Sequence, residues 1–252
     1  MKPQLEVTIR QRLKQFYLSG IGKTLSVRLK QAQEDDPGYG EFLSLLLEDE
    51  ANQRSDNRRR RLYRNARLPF EKGIEDFDFS FQPSIKKKDI LELATGIFVD
   101  RKANVLLIGQ PGTGKTHLAV ALALETLGRG GTVLFTTVWE MINQLQQSKA
   151  DYSYRRKITT YLKPDLLILD ELGYRSMAET TVEDFFEIVS GRYEKGSIII
   201  TSNRNIQDWD KVFIDKTLTA AILDRLMHHC HPIIIKGESY RFQHRRPAAD
   251  NN

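Results

Sequence analysis

The sequence predicts an α/β core on a mostly parallel five-stranded sheet, preceded by a module made only of helices. Three observations predict it. After Pro69, short apolar runs alternate with helical stretches, the pattern of a parallel sheet with helical crossovers. One of those runs feeds a glycine-rich loop that opens a helix. Before Pro69, the apolar spacing is helical throughout. The expected division is therefore residues 1–70 as a helical module and residues 71–252 as the core.

In chain order, residues 4–18 carry Ile9, Leu13 and Phe16 on one helical stripe, with Ser19-Gly20 expected to end it. Thr24–Gln33 places Leu25, Leu29 and Ala32 at helical spacing, and Asp35-Asp36-Pro37-Gly38 breaks the chain. Glu41–Arg67 is apolar in its first half (Phe42, Leu43, Leu45, Leu46, Leu47) and arginine-rich in its second. As one helix it would run roughly 40 Å. Arg54, Arg58 and Arg61 would share one face, with Arg60, Arg64 and Arg67 beside them and Pro69 closing the helix. The expected strands are Asn104–Ile108, Val133–Thr137, Leu166–Asp170, Ile198–Ser202 and Ile233–Lys236. Phe77, Phe79 and Phe81 alternate just ahead of the core, and are read as packing on it or as lining a base pocket.

Composition narrows the class. Hydrophobic residues make up 40% and charged residues 28%, which excludes collagen-like and wholly disordered chains. The single cysteine, Cys230, excludes a disulfide framework within one chain and suits a reducing cytosol, so a cytoplasmic protein is expected. The apolar runs are short for a bilayer span, and Met1–Arg10 is charged where a secretory leader would be apolar, so no membrane partner is expected. The net charge of +5 is unevenly placed: Arg54–Arg67 holds seven arginines (54, 58, 59, 60, 61, 64 and 67) against Asp56, leaving about −1 for the rest. A nearly neutral body with one concentrated basic segment points to a polyanion such as nucleic acid, the alternative being a solvated helix face.

The chemistry is concentrated in one motif. Gly109-Gln110-Pro111-Gly112-Thr113-Gly114-Lys115-Thr116 fits G-x-x-x-x-G-K-[ST] between an expected strand and a helix opening at His117. Glycines let the backbone wrap phosphate oxygens, and the helix N-terminus offers partial positive charge. Lys115 would reach the β- and γ-phosphates, and the Thr116 hydroxyl would hold Mg²⁺. Gly22-Lys23-Thr24 repeats only the last three letters, with Tyr17 where the first glycine belongs, and reads as a helix start. Leu166–Leu169 is a buried-type strand ending in Asp170 and Glu171, 54 residues beyond Thr116. Asp170 would hold the metal and Glu171 would polarise the attacking water. Ile198–Ser202 ends at Asn203, read as a hydrogen-bond partner for the γ-phosphate or the water, or as a plain turn residue. Arg225 in Ile222-Leu223-Asp224-Arg225-Leu226 is either a surface arginine or a finger reaching a neighbouring subunit's phosphate. His228-His229-Cys230-His231 lacks the spaced second pair of a zinc site. No N-K-x-D guanine motif is present, which favours ATP over GTP.

GQPGTGKT, LLILDE, the strand ending TSN and the ILDRL segment together resemble an AAA+ ATPase of the helicase-loader and replication-initiator branch. The closer resemblance is to the IstB-type transposition helper ATPases of bacterial insertion sequences. Phe42–Arg67, Asp76–Phe81 and Gly237–Arg241 carry it through most of the chain. The resemblance implies a sheet order of 5-1-4-3-2. Gly109 to Thr116, with His117 following, would contact the nucleotide; Asp170 and Glu171 would be the Walker B acids, Asn203 sensor 1, and Arg225 a finger acting in trans. It also implies ATP-dependent self-assembly on duplex DNA, a transposase of the same element as partner, and turnover of ATP with Mg²⁺. Only 16 residues follow Lys236, short for the helical lid of many AAA+ proteins, so Arg241 is the candidate to stand in for sensor 2. Two rivals stay open: a DnaC-like replicative helicase loader, and a monomeric kinase acting on a small molecule.

Overall fold

The computed structural model describes residues 3–240, and Arg241 lies outside them. The chain forms two compact units that divide after Arg61. The first contains α1 (Pro3–Gln15), α2 (Ser19–Asp35) and most of α3 (Tyr39–Ala66). Ile21, Leu25 and Leu46 form its small core, with Ile9, Leu13, Leu18, Leu29 and Phe42 packed against them.

Ser19-Gly20, expected to terminate the first helix, instead begins the second. The reason lies in α3. The buried Glu50 carboxylate accepts the Gly20 and Ile21 amides at 2.7 and 3.3 Å, serving as the N-terminal cap that the α2 sequence lacks. Gly20 also permits the close approach: a Cβ there would stand 2.6 Å from the Glu50 Cα. Gly22-Lys23-Thr24 therefore lies within the first turns of α2, not at its start. Arg28 grips Asp49 through two hydrogen bonds of 2.8 Å and holds its carboxyl down at about 2.

The expected division near residue 70 contrasts with the one observed inside α3. Leu62, Tyr63 and Ala66, on the last turn and a half of that helix, pack with the hydrophobic core of the second unit. The helix ends at Ala66 because Arg67 turns left-handed (φ 55°), so Arg67 leaves the face it was expected to share with Arg60 and Arg64.

The second unit continues with α4 (Lys87–Ala94), α5 (Ile97–Asp100), β1 (Asn104–Gly109), α6 (Lys115–Gly128), β2 (Val133–Thr137), α7 (Val138–Ala150), α8 (Tyr154–Leu162), β3 (Leu166–Leu172), α9 (Glu179–Arg192), β4 (Ser197–Ser202), α10 (Lys216–Met227) and β5 (Cys230–Ile235). A 3₁₀ turn at Ile206–Lys211 precedes α10. The strands pair in the order β2-β3-β4-β1-β5, every pair parallel, which is the expected 5-1-4-3-2. The inner strands read as continuous apolar runs because both faces are covered. Val105, Leu107, Ile168 and Ile199 face α4, α5 and α6, while Leu106, Ile108, Leu167, Leu169, Ile198 and Ile200 face α7 to α10. β5 is an edge strand, half exposed and carrying Pro232, which is why its first three residues gave no apolar signal and the expected start at Ile233 was late. No described helix is long and apolar enough to cross a membrane.

Candidate nucleotide site

All strands run the same way, so their C-terminal tips share one edge, and the order places the β4 tip between those of β1 and β3. At the β1 tip the chain enters the glycine loop. Gly112 (φ 83°) and Gly114 (φ 92°) adopt left-handed conformations that favour glycine. Space forbids a side chain as well: a Cβ on Gly112 would fall on Ser239 Oγ, and one on Gly114 would lie 2.5 Å from a Phe77 ring carbon. The Lys115 ammonium donates to the Gly109 and Gln110 carbonyls at 2.8 Å each, and Thr113 Oγ1 donates to Gln110 O at 2.8 Å, which folds the loop back on itself. Pro111 sits at the exposed crest. No side chain caps α6, so its first amides face the loop.

The neighbouring tips supply the acids. The Thr116 hydroxyl donates to the buried Asp170 carboxylate, 3.0 Å from Oδ1 and 3.2 Å from Oδ2. Beyond Leu169, paired with Ile200, the β3–β4 register slips, and pairing resumes with Leu172 opposite Ser202. Asp170 and Glu171 together thus oppose the single residue Thr201, the two-against-one arrangement of a β-bulge. Glu171 takes a left-handed backbone (φ 66°) and stands exposed beside its buried neighbour. Asn203 follows β4. Its Oδ1 is shielded from solvent, has no hydrogen-bond partner among the described residues, and lies beside Gly173 just past the acids.

A basic loop with left-handed glycines, an uncapped helix start, a hydroxyl on a buried carboxylate and a second, exposed carboxylate form a donor and acceptor set that fits a magnesium-bound polyphosphate.

The other expected site residues are placed differently. The His117 ring is engaged by the Gly73 carbonyl at 2.9 Å and by the edge of Phe77, with ring centroids 5.3 Å apart. Phe77 is a core residue pressed against the glycine loop, while Phe81 meets Tyr240 edge-on. Arg225 lies at the opposite edge of the sheet. Asn104, the first residue of β1, donates to the carbonyl of the adjacent Leu226, so Arg225 is separated from the loop by the length of β1, about 17 Å. Its guanidinium stacks over Phe186 at 5.0 Å and donates to Ala221 O at 3.0 Å. In its own chain it does not reach the loop. In the first unit and at its boundary, Arg58, Arg59, Arg60 and Arg61 are exposed on α3, whereas Arg54 donates to Glu50 at 2.8 Å.

Three contributors were missed in the sequence. Thr201 stands inside the strand that was read only for Asn203. The segment Gly237–Tyr240 closes over the loop, Tyr240 donating its amide to Gly112 O at 3.0 Å. The buried Gln82 donates to Glu238 O at 3.1 Å and helps hold that segment. Only the match of Gly237–Arg241 to a family pattern hinted at the second. Near the Arg225 end, Glu194 Oε1 lies 3.9 Å from a ring nitrogen of both His228 and His229; all three are exposed, and the Tyr193 hydroxyl already meets His228 Nδ1 at 2.9 Å. Burial pushes the Cys230 thiol up to about 12, which keeps it protonated.

Residues 11–248 match the family described as IstB-like ATP binding protein. An insertion sequence IS21 ATP-binding protein of Pseudomonas aeruginosa is 42% identical over 245 residues, covering 97% of this chain and 91% of that one. An insertion sequence IS5376 ATP-binding protein of Geobacillus stearothermophilus is 36% identical over 231 residues, 92% of each chain. Among solved structures, AMPPCP-bound DnaA from Aquifex aeolicus aligns with a TM-score of 0.57 at 25% identity, over 70% of this chain and 54% of that one. The core has the AAA+ ATPase fold, and the chain belongs to the IstB-like ATP binding protein family.

Proposed function

We propose that this protein is an ATP-hydrolysing helper of DNA transposition that gathers on duplex DNA when it holds ATP and is reset by hydrolysis. The observation that carries the reading is the meeting of Thr116 and Asp170 at 3.0 Å beneath a glycine loop, with Glu171 exposed beside them. ATP would bind with its phosphates wrapped by the 109–116 backbone and the Lys115 ammonium. Thr116 and Asp170 would hold Mg²⁺, which neutralises charge building on the phosphates. Glu171 would orient a water and draw on its proton, and Asn203 Oδ1 would accept a hydrogen bond from that water. Arg225, remote from its own loop, is suited to reach the γ-phosphate bound by a neighbouring copy, so that ATP would join two subunits. The exposed arginines from Arg58 to Arg61 would hold duplex phosphates largely without reading bases. The names of the relatives, which place them in insertion sequences, favour a transposase of the same element as the protein partner.

The test is assembly on duplex DNA followed by gel filtration and electron microscopy with ATP, ADP or no nucleotide. Large complexes with ATP alone, lost in Lys115→Ala, are expected. Equal assembly in all three conditions would overturn the switch. Capture of a replicative helicase instead of the transposase would transfer the same ATPase core to helicase loading.

A further inference from the structure

Asp170 and Glu171 are adjacent in sequence, yet hydrolysis asks different things of them. One must stay buried on a metal, and the other must project toward a water. Along a regular strand, neighbours simply alternate faces, with nothing tying the two carboxylates to one another. Here the bulge breaks that alternation, and the residue opposite it is Thr201. Its hydroxyl donates to Asp170 Oδ1 at 2.5 Å and accepts the Glu171 amide at 3.0 Å. Thr201 is 1% exposed, so no water replaces either bond. The second bond stands where a regular ladder would use a backbone carbonyl, and it holds the left-handed turn at Glu171.

From this geometry we infer that Thr201 is the positioning residue of the acid pair: one hydroxyl fixes the metal-holding carboxylate and the backbone that aims the water-polarising one. The role is specific to a hydroxyl. Serine can donate and accept in the same way, whereas valine keeps the shape and does neither. This inference rests on the reading of Asp170 and Glu171 given above, and deepens it by naming what sets them.

The test compares Thr201→Val, Thr201→Ala and Thr201→Ser with wild type in two assays. Mn²⁺ is titrated into protein saturated with a non-hydrolysable ATP analogue and followed by electron paramagnetic resonance. ATP turnover is measured with duplex DNA across a Mg²⁺ series. A residue supporting a metal ligand through one hydrogen bond is worth about 10- to 100-fold in metal affinity or activity. Valine and alanine should each weaken Mn²⁺ binding about tenfold or more and lower kcat by a similar factor, while KM for ATP stays unchanged because the glycine loop and Lys115 are untouched. Serine should restore both. Wild-type Mn²⁺ affinity in the valine and alanine variants would overturn the inference, as would a serine variant as impaired as valine. A lower melting temperature with unaltered Mn²⁺ affinity would assign Thr201 a packing role only. If wild type itself does not turn over ATP, hydrolysis falls, while the Mn²⁺ titration still decides Thr201.

Discussion

Two glycines of the core share a left-handed backbone but differ in surroundings, and substituting each by alanine separates two costs. Gly114 has φ 92° and Gly130 has φ 83°. A Cβ on Gly130 would meet nothing within 4 Å, so Gly130→Ala carries the backbone penalty alone, about 1–2 kcal/mol. A Cβ on Gly114 would lie 2.5 Å from Phe77 Cε2 and 3.1 Å from Cζ. Carbon pairs settle near 3.5–4.0 Å, so the ring must retreat by about 1 Å. Phe77 is buried against Phe79 and His117, with ring centroids 4.9 and 5.3 Å away, and forced repacking of that kind costs about 1–3 kcal/mol more. Gly114→Ala should therefore destabilise the core by roughly 2–5 kcal/mol. Urea denaturation followed by tryptophan fluorescence measures it, since Trp139 and Trp209 both lie in the second unit. Fluorescent ATP-analogue binding should fall sharply in Gly114→Ala and stay at wild type in Gly130→Ala. Adding Phe77→Leu should recover part of the excess, which a double-mutant cycle isolates. Equal destabilisation of the two alanine variants, with ATP binding intact in both, would refute the assignment of Phe77 as the wall of the loop.

Glu171→Gln should keep ATP affinity and slow hydrolysis by about 10²-fold or more, prolonging the DNA-bound state; turnover at the wild-type rate would remove Glu171 as the base. Mixing Arg225→Ala with Lys115→Ala subunits should restore part of the hydrolysis that each lacks, because one intact arginine can face one intact loop; no recovery at any ratio between variants that still assemble would exclude a finger in trans. Replacing Arg58 to Arg61 by alanine should flatten the slope of log affinity for duplex DNA against log salt by about 3–4, and an unchanged slope would return that block to a solvated face. In the helical unit, the Asp49 carboxyl sits at about 2, below its ordinary 3.8, because Arg28 binds its charged form. A lowered carboxyl stabilises the fold above its ordinary value and loses that contribution as pH falls toward 2. The melting gap between wild type and Arg28→Ala should accordingly be full at pH 5 and close by pH 2; a constant gap would refute it.

Much of the candidate site is legible in the sequence because its signals are local. The loop from Gly109 to Thr116 needs glycines at set positions in a strand-to-helix turn, and each requirement is met within eight residues. The strand before Asp170 is buried on both faces, so its residues are uniformly apolar and its end is conspicuous. The first helix boundary was misread for the converse reason. Ser19-Gly20 looks like a terminator on local preference, but Glu50, 30 residues away from Gly20, caps a helix there. A residue's neighbours in sequence cannot announce a cap delivered from another helix.

The amino-acid order by itself determined the candidate residues: the glycines of the loop, Lys115, Thr116, and the two acids at the end of a strand. Folding decided how those residues are aimed. The slip in register that puts two acids opposite one threonine, the hydroxyl that ties them, the Phe77 ring against Gly114 and the Tyr240 amide on Gly112 all join segments separated by about thirty residues or more. The physical reason is range. Backbone preference and apolar period act over a few residues and are written in composition, whereas a bulge or a cross-strand hydrogen bond exists only after the sheet has set which strands are neighbours.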